Sequence, residues 1–318
     1  MMVQYFQAGE TMKHSDEKLL MWEAATLYYE KKYTQQEIAA LMELSRQTVS
    51  KLLSDAVKEH IVEIKIHDPQ KGCQELEQQL QDRFGLSHAV VCAVSGKHDD
   101  LRQLMCVKAA AQYVAPLLQE GDLKIGISWG RTINALIDAL EDMPTTGNLV
   151  FPLFGATDVE DSCFSCNEIV RKLADKLSCA ARYAWFPYVT ENEQDYFLLK
   201  NTGYYKKIRT LWEQIDVALV GIGNTDVVEM FSRLIELPLQ TDQITGDIAT
   251  HFFDKDGSIR KLYENTLCAN LENIRQAGKT IAIACGSEKI DAIRGALNTG
   301  LLDVLITDEH TARQILGV

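Results

Sequence analysis

Several features that define other classes of protein are missing from this sequence of 318 residues. No apolar run approaches the roughly 20 residues needed to cross a bilayer. Met1 to Thr11 also lacks the charged and then apolar pattern of a signal peptide. We therefore expect a cytoplasmic protein without a membrane partner. The length is sufficient for one large domain and a second, small one.

A dense disulfide framework is missing as well. Eight cysteines are scattered along the chain, and only Cys163 and Cys166 form a close pair. In a cytoplasmic protein such cysteines are expected to be free thiols. A structural zinc site normally needs four ligands, but this pair has no second pair and no neighbouring histidine. The sequence therefore predicts no metal and no cofactor, and a zinc or redox site at this pair is only a weak alternative.

The sequence has no excess of positive charge. Its net charge of −13 argues against a protein that coats nucleic acid indiscriminately. A local DNA-reading surface remains compatible with this charge, because phosphate contacts depend on where the cations lie. Any DNA-binding segment therefore has to be recognised by its own pattern.

Three helical patterns follow one another near the N-terminus. The first lies in "DEKLLMWEAATLYYEKK" from Asp16, with an apolar face formed by Leu19, Leu20, Trp22, Ala24, Leu27 and Tyr28. Thr34 and Glu37 then form the T-x-x-E pattern of a capping box, which predicts a second helix with Ile38, Ala39, Leu41 and Met42 inside. Ser45 is a natural N-cap for a third helix, whose apolar stripe is Val49, Leu52, Leu53, Ala56 and Val57.

The polar residues of the third helix indicate its function. In a helix-turn-helix, the first turns of the second helix of the motif enter the major groove. Arginine and glutamine can bond base edges there, whereas serine, threonine and lysine reach phosphates. We predict DNA contacts from Thr34, Gln35, Ser45, Arg46, Gln47, Thr48, Ser50 and Lys51. An ordinary helical corner with a solvated polar face is the alternative interpretation.

The sequence also predicts the domain boundaries. "HIVEIKI", residues 60–66, alternates as a β-strand does and predicts a wing beside the helices. "HDPQKGCQ" contains a proline and a glycine and predicts a linker over 67–74. We expect a tail at 1–15, a DNA-binding domain at 16–66 and a second domain at 75–318. The helical "CQELEQQLQDRFG", from residue 73, leads into this domain or helps to pair subunits.

From His88 onward, apolar strands alternate with helical segments. The predicted strands lie in "HAVVCAV", "DLKIGIS", "NLVFPLFG", "ARYAWFP", "DVALVGIG", "KTIAIACG" and "DVLITD". This alternation predicts an α/β domain with a mostly parallel sheet and helices on both faces. In such a sheet, ligands bind at the carboxyl ends of the strands.

Four glycine-rich turns mark the strand ends, namely "SWGRT", "LFGAT", "GIGNT" and "ACGSEK". Each alone is an ordinary strand-to-helix turn, and none is a complete nucleotide-binding fingerprint. Together they predict a rim of open backbone N–H groups that suits an anion such as phosphate. Arg131 and Lys289 could add charge to it, Thr132 could add a hydroxyl, and Asp247 could accept from sugar hydroxyls.

The sequence resembles the SorC family of bacterial sugar-binding transcriptional regulators over nearly its whole length. The resemblance rests on the order and spacing of "EAATLYYEKKYTQQEIAALMELSRQTVSKLL", "GDLKIGISWGRTINAL", "DVALVGIG", "GDIATHFFDKDG", "IAIACGSEKIDAIRGAL" and "DVLITDEHTARQIL". This combination is far more specific than any single piece.

The resemblance implies a winged or simple helix-turn-helix joined to a Rossmann-like effector domain related to sugar-phosphate isomerases and deaminases. It implies a homo-oligomer, a tetramer or else a dimer, that binds operator DNA and responds to a phosphorylated sugar or polyol. Carried over by position, it implies an effector site at Gly130, Arg131, Thr132, Gly155, Ala156, Asn167, Gly221, Gly223, Asp247, Gly286 and Lys289.

The chain departs from the family pattern at two places. It has Phe154-Gly155-Ala156 where many relatives carry a glycine pair, and Ser165-Cys166-Asn167 where some carry Gln-Ala-Asn. These departures leave the identity of the sugar open, although the class of ligand is unaffected.

Two other functions remain open at this point, although we expect no enzyme. The first is a sugar-phosphate isomerase in which Asp247 and His251 move a proton. Because His251 precedes two phenylalanines, a structural role for this histidine is the simpler interpretation. The second is an interaction module whose helical corner binds protein rather than DNA.

Overall fold

The chain divides into two compact units, 1–69 and 70–318. The computed structural model describes residues 17–64, 73–94, 98–157, 165–226 and 244–318. The proposed tail and most of the proposed linker lie outside the described residues.

In the described part of the first unit, residues 17–64, the chain forms three helices. Helix α1 is α-helical over 17–25 and continues as a π-helical turn, Thr26–Glu30. Helices α2, Gln35–Leu41, and α3, Arg46–Lys58, follow it. The predicted capping box is confirmed, because Glu37 N donates to Thr34 Oγ1 at 3.3 Å and Thr34 N donates to the Glu37 carboxylate at 2.8 Å. The turn between α2 and α3 contains Glu43 in the left-handed region, with φ of 55°.

A small apolar core holds these helices together. Its buried members are Ala24, Ala25, Ile38, Ala39, Val49, Leu53 and Ala56. Other predicted core positions are wrong, since Trp22 is 55% exposed and Leu41 is 60% exposed, and Leu19 and Leu20 are exposed as well. In a three-helix unit, each helix buries only the stripe that faces the other two.

The predicted wing strand is wrong over the described residues 60–64, which form turns and irregular backbone. Lys65 and Ile66 lie outside the described residues. The amides of Ile61 and Val62 both donate to the carbonyl of Ala56, at 2.9 and 3.1 Å, and their side chains pack on the helical core. This segment therefore caps the C-terminal end of α3. The apolar residues that suggested a strand pack on the helical core as part of this cap.

The second unit is an α/β domain with a mixed, mostly parallel sheet, as predicted. Its parallel strands lie in the order β1-β10-β9-β5-β2-β3-β4, and β6, β7 and β8 extend β5 in antiparallel fashion. The strands are β1 His88–Cys92, β2 Lys124–Ile127, β3 Leu149–Pro152, β4 Ala180–Ala181, β5 Val217–Gly223, β6 Gly246–Ile248, β7 His251–Phe253, β8 Ile259–Arg260, β9 Lys279–Ile283 and β10 Val304–Asp308.

Helices surround this sheet. They are α4 Gln74–Phe84, α5 Asp99–Leu118, α6 Arg131–Ala139, α7 Cys166–Leu177, α8 Glu193–Asn201, α9 Gly203–Trp212, α10 Leu271–Arg275, α11 Ile290–Asn298 and α12 Glu309–Leu316. The apolar stripe of α4, Leu76 and Leu80, is buried in the core of this unit. This stripe therefore packs within the unit, as expected if the helix leads into the second domain. A role of the other residues of α4 in pairing subunits stays a prediction.

The sequence located most of the parallel strands but not the antiparallel extension. Strand β4 has only two residues, where a strand over "ARYAWFP" was expected. The segment after it forms isolated β-bridges instead of a longer strand. In these bridges, Ala156 pairs with Pro187, and Val189 pairs with Thr266. The strands β6 to β8 were not predicted, because pieces of two or three residues carry little periodicity.

Candidate functional site

The first turns of α3 present a polar surface. Ser45 caps the helix, since its Oγ accepts from Thr48 N at 3.0 Å, and the two hydroxyls lie 2.8 Å apart. Arg46, Gln47, Ser50 and Lys51 are all exposed, and the buried stripe turns away from them. This arrangement suits direct contact with bases and phosphates.

A concave surface that encloses a volume of about 750 Å³ lies beside this helix within the helical unit. Its lining residues are Tyr28, Tyr29, Lys32, Tyr33, Thr34, Gln35, Gln36 and Arg46. The structure thus brings the predicted Thr34 and Gln35 next to Arg46. Lys32, Tyr33 and Gln36 were missed by sequence reasoning, although the Lys31-Lys32-Tyr33 run directly before the capping box was an available signal.

The α/β unit contains a cavity of about 410 Å³ at the carboxyl ends of β2 and β5, which we call the strand-end cavity. Seven predicted effector residues line it: Gly130, Arg131, Thr132, Gly221, Gly223, Asp247 and Lys289. Since β2 and β5 are neighbours in the sheet, their glycine turns meet at one place.

The α6 helix begins at this cavity. Gly130 is its N-cap residue, with φ of 117°, and no side chain caps the helix. The first-turn amides of a helix have no partner within the helix, so the amide of Thr132 is placed to donate to an acceptor in the cavity. That this edge binds an anion stays a prediction.

The other glycine turns do not leave their amides open. Gly221 N donates to Ser128 Oγ at 3.2 Å, and Gly286 N donates to Thr311 Oγ1 at 3.1 Å. Gly155 N donates to the carbonyl of Leu267 at 2.9 Å. The predicted rim of open N–H groups is therefore corrected to a single turn, the start of α6.

Four predicted effector residues do not line the strand-end cavity: Gly155, Ala156, Asn167 and Gly286. A Cβ at Gly155 would lie 2.5 Å from the carbonyl oxygen of Pro187, so a glycine is required there by close backbone approach. The Asn167 side chain bonds both main-chain groups of Ala184, at 2.9 Å each. The amide of Asn167 is thus used to hold the chain after β4.

Asp247 and Lys289 both line this cavity, and the positive charge of Lys289 acts on the carboxyl group of Asp247. Burial raises the pKa of Asp247 to about 6, while the Thr250 amide and the positive charge of Lys289 act in the opposite direction. Asp247 Oδ2 accepts from Thr250 N at 3.1 Å. The Lys289 ammonium donates to the carbonyl of Ile222 at 3.1 Å.

Several lining residues were missed by sequence reasoning: Gln103, Ser128, Trp129, Asn224, Asp226 and Glu288. Ser128, Trp129, Asn224 and Glu288 belong to the glycine turns already singled out, so the turns were a usable signal. Gln103 comes from α5, which only the folded chain brings to this edge.

The alternative enzyme site is not assembled. Asp247 lines the strand-end cavity, but His251 lies in a different cavity and its Nε2 is bonded to the carbonyl of Ala269 at 2.8 Å. Burial lowers the pKa of His251, so the imidazole is neutral at ordinary pH. The two side chains therefore cannot act on one substrate atom in this arrangement.

The thiols near the predicted pair are structural where they are described. Cys163 lies outside the described residues, and Cys166 is buried with its Sγ donating to the carbonyl of Ile127 at 3.2 Å. Burial raises the pKa of the Cys166 thiol well above its ordinary value. In the described part of the chain, no three His, Cys, Asp or Glu side chains cluster as metal ligands would, and no helix has the length and apolar character of a membrane span.

A helix-turn-helix unit and an α/β unit with a ligand-sized cavity, joined in one chain, define a transcriptional regulator with a small-molecule domain. Residues 68–317 match the family described as "Putative sugar-binding domain", and residues 22–59 match "Sigma-70, region 4".

Known transcriptional regulators match this chain over nearly its whole length. The sorbitol operon regulator of Klebsiella pneumoniae is 31% identical over 96% of this chain and 100% of its own, and the deoxyribonucleoside regulator of Bacillus subtilis is 29% identical over 95% and 98%. The crystal structure of the full-length Klebsiella regulator covers 93% of this chain and 98% of its own, with a TM-score of 0.74. The chain belongs to the SorC family of transcriptional regulators, and it is a DNA-binding regulator and not an enzyme.

Proposed function

We propose that this chain controls a carbohydrate-utilisation operon and that its effector is a phosphorylated sugar or polyol held in the strand-end cavity. Relatives named for sorbitol, deoxyribonucleosides and erythritol support a sugar-related operon. The observation that carries the effector proposal is the meeting of the N-terminus of α6, Lys289 and Asp247 in one cavity.

The phosphate end of the ligand belongs at the start of α6. Helix N-termini favour an anion, and an ammonium group adds a charge-assisted hydrogen bond. Arg131 and Lys289 are the cations of the cavity lining, and Thr132 contributes a hydroxyl. Together these groups form a site in which a phosphate dianion is favoured over a neutral hydroxymethyl group.

The sugar end belongs at the carboxylates. Asp226, Asp247 and Glu288 all line the cavity, so its carboxylates outnumber its cations. Asp247 uses Oδ2 for the Thr250 amide, which leaves Oδ1 to accept from a ligand hydroxyl. A ligand with one anionic end and several hydroxyl groups matches this division, whereas a compact anion without hydroxyls does not.

Calorimetric titration of the full-length chain tests this proposal. A thermal-shift screen over sugar and polyol phosphates selects the ligand, since a ligand that binds the native state raises the melting temperature. The phosphate is then compared with its unphosphorylated parent, and the wild type with Lys289→Ala. We expect the parent to bind at least tenfold more weakly, and Lys289→Ala to lose about tenfold to a hundredfold in affinity for the phosphate.

Lys207→Ala is the matched control, because Lys207 is exposed on α9 outside the cavity lining. It should bind the phosphate as the wild type does. Equal affinities for the phosphate and its parent, or an unchanged affinity in Lys289→Ala, would remove the phosphate site from this cavity.

The proposed DNA contacts are those of the first turns of α3 and of the concave surface beside it. Arg46 and Gln47 are proposed to contact bases, and Thr34, Gln35, Ser45, Thr48, Ser50 and Lys51 to contact phosphates or position the helix. Because operator DNA is in the cytoplasm, we place the protein there. We also propose that the α/β unit is Rossmann-like and related to sugar-phosphate isomerases, as its parallel sheet with a cavity at the strand ends would suit.

We propose a homo-oligomer, a tetramer or else a dimer, because a single helix-turn-helix makes few contacts and tight operator binding normally needs two half-sites. The α/β unit offers a surface for pairing, since Trp185 is 72% exposed and Leu198 is 68% exposed. Sedimentation velocity at micromolar concentration, with and without operator DNA, tests this. A monomer under both conditions would contradict it.

A further inference from the structure

A second cavity, of about 660 Å³, lies in the α/β unit beneath the antiparallel strands, and we call it the hairpin cavity. Helices α8 and α9, the strands β7 and β8 and the start of α10 surround it. Its lining includes Tyr188, Tyr205, Trp212, Thr250, Tyr263 and Cys268. None of the predicted effector residues lies in it. Its size is within the range of small-molecule sites in proteins.

Among the described residues, two buried hydroxyl groups of this cavity have no partner at hydrogen-bond distance and angle. They are Thr250 Oγ1 and the phenol of Tyr263, and the two residues are only 4% and 5% exposed. An unpaired buried hydroxyl is costly, so such groups call for an explanation. Both lie in the wall of the same cavity, where hydroxyl groups of a ligand could pair with them.

The backbone supports a functional role for Thr250. Ala249 and Thr250 form the turn between β6 and β7 with φ of 47° and 72°, a region that side chains other than glycine rarely adopt. A β-branched residue in this region is a particular exception. Strained residues of this kind cluster at ligand sites, where the surrounding structure maintains them.

The buried ionisable groups of the cavity are uncharged at neutral pH. Burial raises the pKa of Tyr263 and of Tyr205 to about 12 and that of Cys268 to about 11. Burial lowers the pKa of His251 and so keeps its imidazole neutral. These four side chains therefore present uncharged hydroxyl, thiol and ring groups to the cavity.

The cations in the lining already have partners. Arg209 pairs with Glu213 at 3.2 Å, Arg260 with Asp254 at 2.6 Å, and Lys261 with Glu264 at 2.5 Å. Lys200 lies over the ring of Tyr196, 4.7 Å from its centre, and donates to its hydroxyl at 3.1 Å. Three of these four cations therefore already have a carboxylate partner, which reduces the attraction of this cavity for an anion.

We propose that the hairpin cavity is a second small-molecule site and that its ligand is an uncharged sugar ring. Hydroxyl groups of the sugar would pair with Thr250 and Tyr263, and the apolar faces of the ring would pack on the aromatic walls. This site is separate from the proposed phosphate site, since Asp247 and Lys289 line only the strand-end cavity.

The test uses the full-length chain and five uncharged sugars, namely glucose, galactose, ribose, fructose and sucrose. A thermal-shift measurement at millimolar concentration identifies the sugar that stabilises the protein most. This sugar is then titrated calorimetrically into the wild type, Tyr263→Phe, Thr250→Val and Lys289→Ala. Tyr113→Phe is the matched control, because it loses a half-buried phenol hydroxyl outside the hairpin cavity.

Tyr263→Phe removes an unpaired hydroxyl, so without ligand its melting temperature should rise by about 2–4 °C. Its affinity for the sugar should nevertheless fall about tenfold, and Thr250→Val should show a similar fall. A purely structural tyrosine would not combine a gain in stability with a loss of binding. Lys289→Ala and Tyr113→Phe should bind the sugar as the wild type does.

The proposal is wrong if none of the five sugars stabilises the protein, because the cavity would then hold only water. It is also wrong if Tyr263→Phe and Thr250→Val both keep the wild-type affinity. A loss of sugar affinity in Lys289→Ala alone would place the sugar in the strand-end cavity. That result would overturn the second site and leave the proposed effector site standing.

Discussion

The proposed sites of the two units differ in how deeply some of their polar groups are buried. In the helical unit, Arg46, Gln47 and Lys51 are exposed on α3, and the core beneath them is apolar. In the α/β unit, Asp247 is only 3% exposed and Thr132 only 9%. Exposed polar groups stay hydrated and cost little in folding, whereas a buried carboxylate loses its hydration.

We therefore expect binding to change independently of stability at exposed positions of the helical unit. At a buried position of the α/β unit, we expect binding and stability to change together. Substitutions on the exposed face of α3 should change DNA binding without changing the free energy of unfolding. Substitution of the buried Asp247 in the strand-end cavity should change both, because the carboxylate proposed to meet the ligand also loses its hydration in the folded protein.

The largest effect is expected for Asp247→Asn. Since burial raises the pKa of Asp247 from 3.8 to about 6, the folded protein keeps this proton between pH 4 and 6 while the unfolded chain releases it. The free energy of unfolding of the wild type therefore falls as the pH rises through this interval, by about 3 kcal/mol in all. Asparagine does not titrate, and its side-chain oxygen can still accept from Thr250 N.

Denaturant titrations of the wild type and Asp247→Asn at pH 4, 5, 6 and 7 measure this. We expect the variant to gain stability relative to the wild type as the pH rises, and to lose sugar phosphate binding at pH 7. A difference between the two proteins that stays constant with pH would show that Asp247 is not held in a strained, charged state.

Gly130→Ala should destabilise the α/β unit by about 1–3 kcal/mol. Gly130 has φ of 117°, and a Cβ built there meets nothing within 4 Å, so the cost is one of backbone conformation alone. Gly221→Ala is its matched partner in the same cavity. Its φ is ordinary and its Cβ would make normal contacts, the nearest at 3.6 Å from the carbonyl oxygen of Trp129.

We therefore expect Gly221→Ala to keep its stability within about 0.5 kcal/mol and to bind the effector more weakly, because the new methyl group occupies cavity space. Melting curves and calorimetry on the two variants separate the effects. Equal destabilisation in both would show that space, and not the backbone angle, determines the choice of glycine at the start of α6.

Gln47→Ala should reduce the discrimination between operator and random DNA by about 1–3 kcal/mol, the value of one good base contact. Its free energy of unfolding should stay within about 0.5 kcal/mol of the wild type, because the side chain is exposed. Competition binding with labelled operator and unlabelled random DNA measures the first, and thermal melting the second. An unchanged operator preference would mean that α3 does not present Gln47 to the bases.

The smallest effect is expected for Lys51→Ala, which should weaken binding to all DNA sequences alike. Loss of one phosphate contact should reduce the slope of log affinity against log salt by about 0.9. Lys58→Ala is the control on the same helix, since Lys58 lies in the last turn beside Asp55 at 3.4 Å. It should bind DNA as the wild type does, and a slope that changes equally in both variants would contradict the placement.

The helical unit was predictable because its signals are local. The capping box at Thr34 and Glu37 involves residues three positions apart, and Ser45 caps α3 in the same way. The wing prediction was wrong because an alternating pattern of apolar residues does not show whether a second strand is available to pair with it. Ile61 and Val62 instead donate to one carbonyl at the end of α3.

The sequence predicted the fold class of the α/β unit, but it predicted the residues that line the strand-end cavity less completely. The alternation of apolar strands and helices determined its layers, and the glycine turns marked the edge where ligands bind. The sequence could not show that Gly286 N is used by Thr311 Oγ1, or that Asn167 holds Ala184. These hydrogen bonds join residues 25 and 17 positions apart, so no local pattern reports them.

Local patterns were sufficient to predict the capped helices of the first unit, the class of each unit and the family, because capping, periodicity and motif order are properties of neighbouring residues. Which glycine turns share a cavity depends on the fold, since β2 and β5 become neighbours through the strand order. The fold also brings Thr250 and Tyr263 to one cavity, where neither hydroxyl has a partner of hydrogen-bond geometry among the described residues. Burial and pairing depend on residues distant in the chain, so these properties arise only when the chain is folded.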